Sequence, residues 1–157
     1  MILFLLAQIT PVQPIVKGTG LPPAVMTEET GVLAPIDALF AALAARDPQA
    51  MLAAMRPDAS ATVAEERPDG TRSIRHMTAA QFAAMVKPGA ERYAERIIDP
   101  AIEIDGDIAM VWAPYVFTID GKPAHCGYDH FDMVREGGRW KIQNITWSAR
   151  TTGCAAR

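Results

Sequence analysis

Three long strand patterns, Ile108–Ile119, Lys122–Arg135 and Arg139–Arg150, close this chain and limit what it can become. They are joined by Asp120-Gly121 and Gly137-Gly138, dipeptides that favour two-residue hairpin turns. Turns this tight set the strand register. Ile119 should pair with Lys122, and Glu136 with Arg139. Counting back, Asp129 falls between Trp112 and Thr146, and Phe131 between Met110 and Asn144. Because side chains alternate, Ile108, Met110, Trp112, His125, Asp129, Phe131, Met133, Trp140, Ile142, Asn144, Thr146, Ser148 and Arg150 are expected on one face. That face is apolar toward Gly137-Gly138 and polar at its far end, as a concave, pocket-lining surface would be. Val111, Tyr115, Phe117, Cys126, Tyr128, His130, Asp132, Ile145 and Trp147 fall on the other. There, Val111, Tyr128, Ile145 and Trp147 form an apolar patch of the kind that marks a protein interface. A slip of one residue would exchange the two faces.

The rest of the chain supplies helices to cover such a sheet. Between Thr27 and Arg46, Val32, Leu33, Ile36, Leu39, Phe40 and Leu43 recur on a helical stripe, with Pro35 fitting an early turn. Asp47 is placed to cap a second helix over Gln49–Met55. Ala61–Arg67 and Thr71–Met77 flank Asp69-Gly70 as a hairpin. Thr78-Ala-Ala-Gln81 is a capping box opening a third helix. Glu91–Ile104 reads as one strand, kinked at Pro100. If its loop to the meander has two residues, Asp99 and Glu103 face the pocket. If it has three, Ile98, Ile102 and Ile104 do, and the apolar pattern favours these. The order α-α-β-β-α-β-β-β-β predicts an α+β fold, a cone-shaped curved antiparallel sheet wrapped around three helices from the N-terminal half.

With 157 residues, the chain is long enough for one domain with a sizeable core. Residues 27–157 are assigned to that domain. Residues 1–26 are assigned to a signal-like apolar segment, Met1–Ala7, and a Pro- and Gly-containing linker. The segment lacks a basic start and a clean cleavage site. Export to a periplasm or exterior is the expectation if it is a signal, and a cytoplasmic location otherwise. Cys126 and Cys154 could form one bridge in an oxidising compartment. An extended chain would hold them about 16 Å apart, so a bridge requires a reversal near Gly153.

The net charge of −3 and scattered Lys and Arg give no basis for nucleic-acid binding. No stretch has the length of a membrane-spanning helix. The three histidines lack metal-ligand spacing, and no phosphate-cradling loop or nucleophile elbow occurs, so neither metal nor cofactor is expected.

The stretch Asp120-Gly-Lys-Pro-Ala-His125-Cys-Gly-Tyr-Asp129-His-Phe, with Gly138-Arg-Trp-Lys-Ile142-Gln-Asn-Ile-Thr146 and Thr152-Gly-Cys154, resembles the nuclear transport factor 2-like superfamily. That superfamily is also called the ketosteroid-isomerase or polyketide-cyclase-like fold. The ending is similar to a bacterial group filed as lumazine-binding. The resemblance spans roughly Leu33 to Cys154. It implies an α+β cone with a deep pocket and a homodimer through the convex sheet face. It implies no single activity, because the fold hosts isomerases, cyclases, dehydratases and non-catalytic binders.

Asp129 and His125 are the candidate catalytic residues. A carboxylate on a buried strand face has its pKa raised, and can then serve as a general base or as a hydrogen-bond donor. Its plainer role would be a structural hydrogen bond to Thr146 or to backbone. His125 lies about 13 Å along the strand from Asp129, too far for a direct dyad, though the two could grip opposite ends of a ligand. Its plainer role is a rim histidine near Arg150. Met110, Trp112 and Phe131 could stack on a ligand or simply fill the core, and Asn144, Thr146 and Arg150 offer polar contacts. Two functions follow. The first is a homodimeric binder of a small, mostly apolar ligand. The second is an acid–base enzyme of isomerase, cyclase or dehydratase type using Asp129.

Overall fold

The computed structural model describes residues 26–154. The elements, in order, are α1 (Met26–Ala45), α2 (Pro48–Ala54), β1 (Met55–Glu66), β2 (Arg72–Thr78), α3 (Ala79–Ala83), β3 (Tyr93–Ile97), β4 (Ala101–Asp105), β5 (Ile108–Ile119), β6 (Lys122–Glu136) and β7 (Arg139–Arg150). This is the expected α+β order with one strand more, β3 and β4 standing where a single strand was expected. The signal-like segment and most of the linker lie outside the described residues. No helix among the described residues is long and apolar enough to cross a membrane.

Local chemistry accounts for the helix ends. The Asp47 carboxylate accepts from the amides of Gln49 and Ala50, capping α2 with Pro48 in its first turn. Thr78 and Gln81 complete the reciprocal capping box of α3. On α1, Val32, Ile36 and Leu39 are buried against the sheet, where they meet Val111, Phe131, Met133 and Ile142. Gln49–Met55 thus shifts by one residue, and Met55 is already strand.

The seven strands form one sheet in the order β2-β1-β7-β6-β5-β3, with β4 also pairing β5. All pairs are antiparallel except β1 with β7, which is parallel. The sheet was expected to be wholly antiparallel. The β7 edge of the meander joins the β1–β2 hairpin through the parallel β1–β7 pairing, while its β5 edge pairs with β3 and β4.

Both meander turns form as expected, with Ile119 opposite Lys122 and Glu136 opposite Arg139. The register does not continue unbroken from them. Between β5 and β6 it shifts by one residue past Phe117, and between β6 and β7 by one residue past Asp132. Each shift is a β-bulge, where one extra residue on one strand turns the following side chains over. Asp129 therefore lies between Ala113 and Trp147, not between Trp112 and Thr146.

These bulges correct the face assignment. Val111, Ala113, Tyr115, Ile145 and Trp147 point inward with Asp129 and Phe131. Met110, Trp112, Asn144 and Thr146 point outward and line no pocket beside Asp129. The expected interface patch fails for the same reason. Val111 and Ile145 are core residues, and Trp147 lines the cavity, so only Tyr128 of the four faces out.

The strand expected over Glu91–Ile104 is broken at Ile98–Pro100, where Asp99 takes a left-handed conformation with φ of 44°. The connection to β5 has two residues, Gly106 and Asp107, since Asp105 pairs with Ile108. Ile102 and Ile104 pack on the core as expected, while Glu103 opposes the outward-facing Met110. Past the break the parity changes, and Tyr93, Glu95 and Ile97 share the inward face with their β5 partners Ile119, Phe117 and Tyr115.

Candidate functional site

A cavity of ≈ 370 Å³ lies between the helices and the concave face of the sheet. Leu43 of α1 and Phe82 of α3 form one wall. Val63, Tyr93, Phe117 and Trp147 form the opposite wall from four different strands, and Glu95, His125 and Arg150 add polar groups. Phe82 and Trp147 lie 5.6 Å apart between ring centroids, and Tyr93 and Phe117 5.3 Å apart. Such aromatic pairs give the walls a defined shape.

Asp129 sits behind this cavity and is only 2% exposed, the one charged residue buried in the core among the described residues. Burial raises its pKa well above the ordinary carboxylate range, and the neighbouring Glu95 carboxyl raises it further through its charge and a hydrogen bond. Glu95 is half-buried and lines the cavity. Burial pushes its pKa up to about 7, against the lowering effect of its hydrogen bond with Asp129. Both shifts favour the neutral form of the carboxyl concerned. Asp129 Oδ2 is buried with no hydrogen-bond partner among the described residues, as expected if this carboxyl is a neutral acid and not an ion in need of donors.

Tyr115 and His125 stand beside the pair. The Tyr115 hydroxyl is 3.1 Å from the Ser148 carbonyl oxygen and 2.9 Å from His125 Nδ1. A carbonyl can only accept, so the phenol proton goes to Ser148. His125 Nδ1 then donates to the phenol oxygen, and this assigns Nε2 as the acceptor of the ring. Burial lowers the His125 pKa, opposed in part by the charge of Glu65, so the neutral ring is favoured. Burial raises the Tyr115 pKa, and the charges of Asp129 and Glu95 add to this, which keeps the phenol protonated. His125 also stacks on Phe117, with centroids 4.7 Å apart.

The structure thus brings together Asp129, Phe131 and His125 on the concave side, with Arg150 at the cavity wall. Phe131 is buried in the core against Phe40 and does not line the cavity. Asn144 instead receives Ser60 Oγ at 2.8 Å and reaches the Asp132 carboxylate on the convex face. Trp112 stacks on Tyr128 there. Sequence reasoning missed Glu95 and set Tyr115 on the wrong face. One signal for Glu95 was present. Pro100 inside a strand marks a bulge, and a bulge there turns Glu95 inward.

Cys126 and Cys154 are joined by a disulfide, with 5.5 Å between Cα atoms. The extra residue Gln143 of β7 pairs Cys126 with Arg150, and Gly153, at φ of 70°, supplies the reversal that closes the bridge.

A helix-covered curved sheet with an interior pocket defines the nuclear transport factor 2-like, or cystatin-like, class of folds. Residues 27–148 match the family described as "Putative lumazine-binding", and the chain belongs to that family. Among solved structures, it is similar to the β subunit of a putative aromatic-ring-hydroxylating dioxygenase from Novosphingobium aromaticivorans, with 16% identity over 80% of this chain and 91% of that one and a TM-score of 0.63. It is similar to a nuclear transport factor 2-like protein from Cytophaga hutchinsonii, with 16% identity, coverages of 79% and 99% and a TM-score of 0.60. A putative scytalone dehydratase from Novosphingobium aromaticivorans shares 10% identity, with coverages of 78% and 83% and a TM-score of 0.60. At these identities the likeness concerns the fold alone. No curated protein matches the chain.

Proposed function

We propose that the protein binds a small, mostly apolar molecule in the cavity between its helices and the concave sheet face. The aromatic walls, drawn from α3 and three strands around ≈ 370 Å³ of space, are the observation that carries this reading. Membership of a family described as lumazine-binding supports it at the level of small-molecule binding. The test is native mass spectrometry after incubation with a metabolite library. Retention of a small molecule by the wild type, and its loss in Ala149→Trp, which fills the cavity from β7, is the expected result. Equal retention by both proteins would place the ligand elsewhere.

A second reading, an acid–base enzyme of isomerase, cyclase or dehydratase type, is favoured by one observation. Asp129 and Glu95 are neighbouring carboxyls with raised pKa values, and Glu95 faces the cavity with a pKa of about 7. Glu95 would then exchange a proton with a bound substrate, and Asp129 would hold a reserve proton behind it. Full turnover of an identified substrate by Asp129→Asn would remove Asp129 from that mechanism.

We further propose a homodimer formed through the convex face, with Ile108, Met110, Trp112 and Tyr128 in place of the patch expected from sequence. Export is supported by the Cys126–Cys154 bridge, since disulfides persist in oxidising compartments.

A further inference from the structure

Resting on the ligand-binding reading above, we propose that the pocket selects small organic anions, molecules with an apolar body and one carboxylate, the carboxylate being held by Arg150. Arg150 ends β7, is half-buried and lines the cavity together with Ala149 and Thr151. Among the described residues, no carboxylate forms an ion pair with its guanidinium. The acidic residues nearest in the sheet are already engaged. Glu66, opposite Arg150 on β1, pairs with Arg72 at 2.9 Å, and Glu65 pairs with Arg75 at 3.4 Å. The third carboxyl of the cavity wall, Glu95, is hydrogen-bonded to Asp129. A guanidinium drawn partly out of water gains most from a bidentate carboxylate, which restores two charge-assisted hydrogen bonds at once.

Arg150 is also held in place. It opposes Cys126 in the β6–β7 register, and the chain is locked to Cys126 four residues later through Cys154. Such tethering lowers the entropy lost when a ligand is gripped. The cavity is therefore two-ended. Arg150 and the exposed Arg67 and Thr151 stand at its mouth, and Glu95 and the neutral His125 stand along its inner wall. A molecule with its carboxylate at the mouth would set its apolar body between Phe82, Phe117 and Trp147.

The experiment is calorimetric titration of the full chain with 2-naphthoic acid and with its methyl ester, at low and high salt. The acid should bind the wild type about tenfold more tightly than the ester, and added salt should narrow the gap. Arg150→Gln should weaken the acid about tenfold and leave the ester unchanged. Arg150→Lys, which keeps the charge but not the fork, should fall between them. A circular-dichroism melt of each variant verifies folding. Ester binding as tight as acid binding, or an acid affinity indifferent to Arg150→Gln, would overturn the anion assignment and leave the pocket reading standing. If the wild type takes up neither probe, the assignment fails together with the reading of the cavity as a site for small apolar molecules.

Discussion

Glu95 on β3 and Asp129 on β6 reach each other from opposite sides of β5, and burial raises the pKa of both carboxyls. The arrangement makes stability depend on pH in a direction opposite to that of an ordinary salt-bridged acid. The folded-state pKa of Glu95, about 7, lies above that of the unfolded chain, about 4.3. Below both values, each state holds the proton and stability does not change. Between them, only the folded state holds it, so stability falls as pH rises, and levels off above the folded value. From Glu95, unfolding free energy should drop on the order of 2 kcal/mol between pH 5 and 8. The raised pKa of Asp129 acts in the same sense. The lowered pKa of His125 acts in the other, removing stability in acid below its unfolded value of about 6.5. Urea titrations of wild type and Glu95→Gln across this range separate the contributions. The variant should lose most of the decline toward alkaline pH, and parallel curves would refute the raised pKa of Glu95.

Gly127 lies on β6 two residues before Asp129, where the strands crowd. A methyl group there would come 1.9 Å from the Ser148 carbonyl oxygen, which is backbone and cannot swing aside. Gly127→Ala should therefore destabilise the fold by about 3 kcal/mol. Gly121, in the β5–β6 turn, faces open space and has only its φ of 78° to protect. Gly121→Ala should cost about 1 kcal/mol. Equal midpoints for the two variants in chemical unfolding would refute the close approach of β6 and β7.

The contrast between turns and bulges explains what the sequence revealed. Asp120-Gly121 and Gly137-Gly138 need left-handed backbone, which few residue types supply cheaply, so both turns were legible. The helices were legible for a similar reason, since Asp47 and Thr78 have side chains suited to free amide groups. The bulge at Phe117/Thr118 adjoins Pro123 of β6, a residue type that can mark a bulge, whereas the one at Asp132/Met133 involves residues of ordinary strand type and nothing local marks it. Both follow from the curvature the sheet needs to close around α1 and α3. Asp129 and His125 kept their inward positions because the bulges turned their partners over, leaving β6 itself unchanged between these two residues. Tyr115, Trp112, Asn144 and Thr146 changed sides with the partners.

The Cys126–Cys154 bridge closes a loop that contains all of β7. In the chain-entropy account, a loop with this sequence separation of 28 stabilises the fold by about 3.6 kcal/mol, by restricting the unfolded chain. A Cys126→Ser, Cys154→Ser double variant should lose roughly that amount in denaturant unfolding. Reduction of the wild type should produce the same shift, and the double variant should not respond to reductant. A reductant-insensitive wild type with free thiols would show that the bridge does not form.

On the convex face, Trp112 stacks on Tyr128 with ring centroids 5.3 Å apart, and both remain more than 40% exposed. Ile108 and Met110 continue the patch along the same strand. A bare aromatic pair on a sheet face gains considerably from being covered, and aromatic residues are enriched at the centres of interfaces. The neighbouring His130 and Asp132, 3.6 Å apart, give the patch a polar margin. If two copies pair through this face, Trp112→Glu places two like charges near the centre of the contact with no desolvated partner. Because Trp112 points away from the core, the variant should fold with an unchanged melting curve in the monomer. Sedimentation velocity should then show a dimer for wild type and a monomer for Trp112→Glu, with at least a hundredfold weaker association. A wild type that sediments as a monomer at every concentration would exclude this face as a self-association surface.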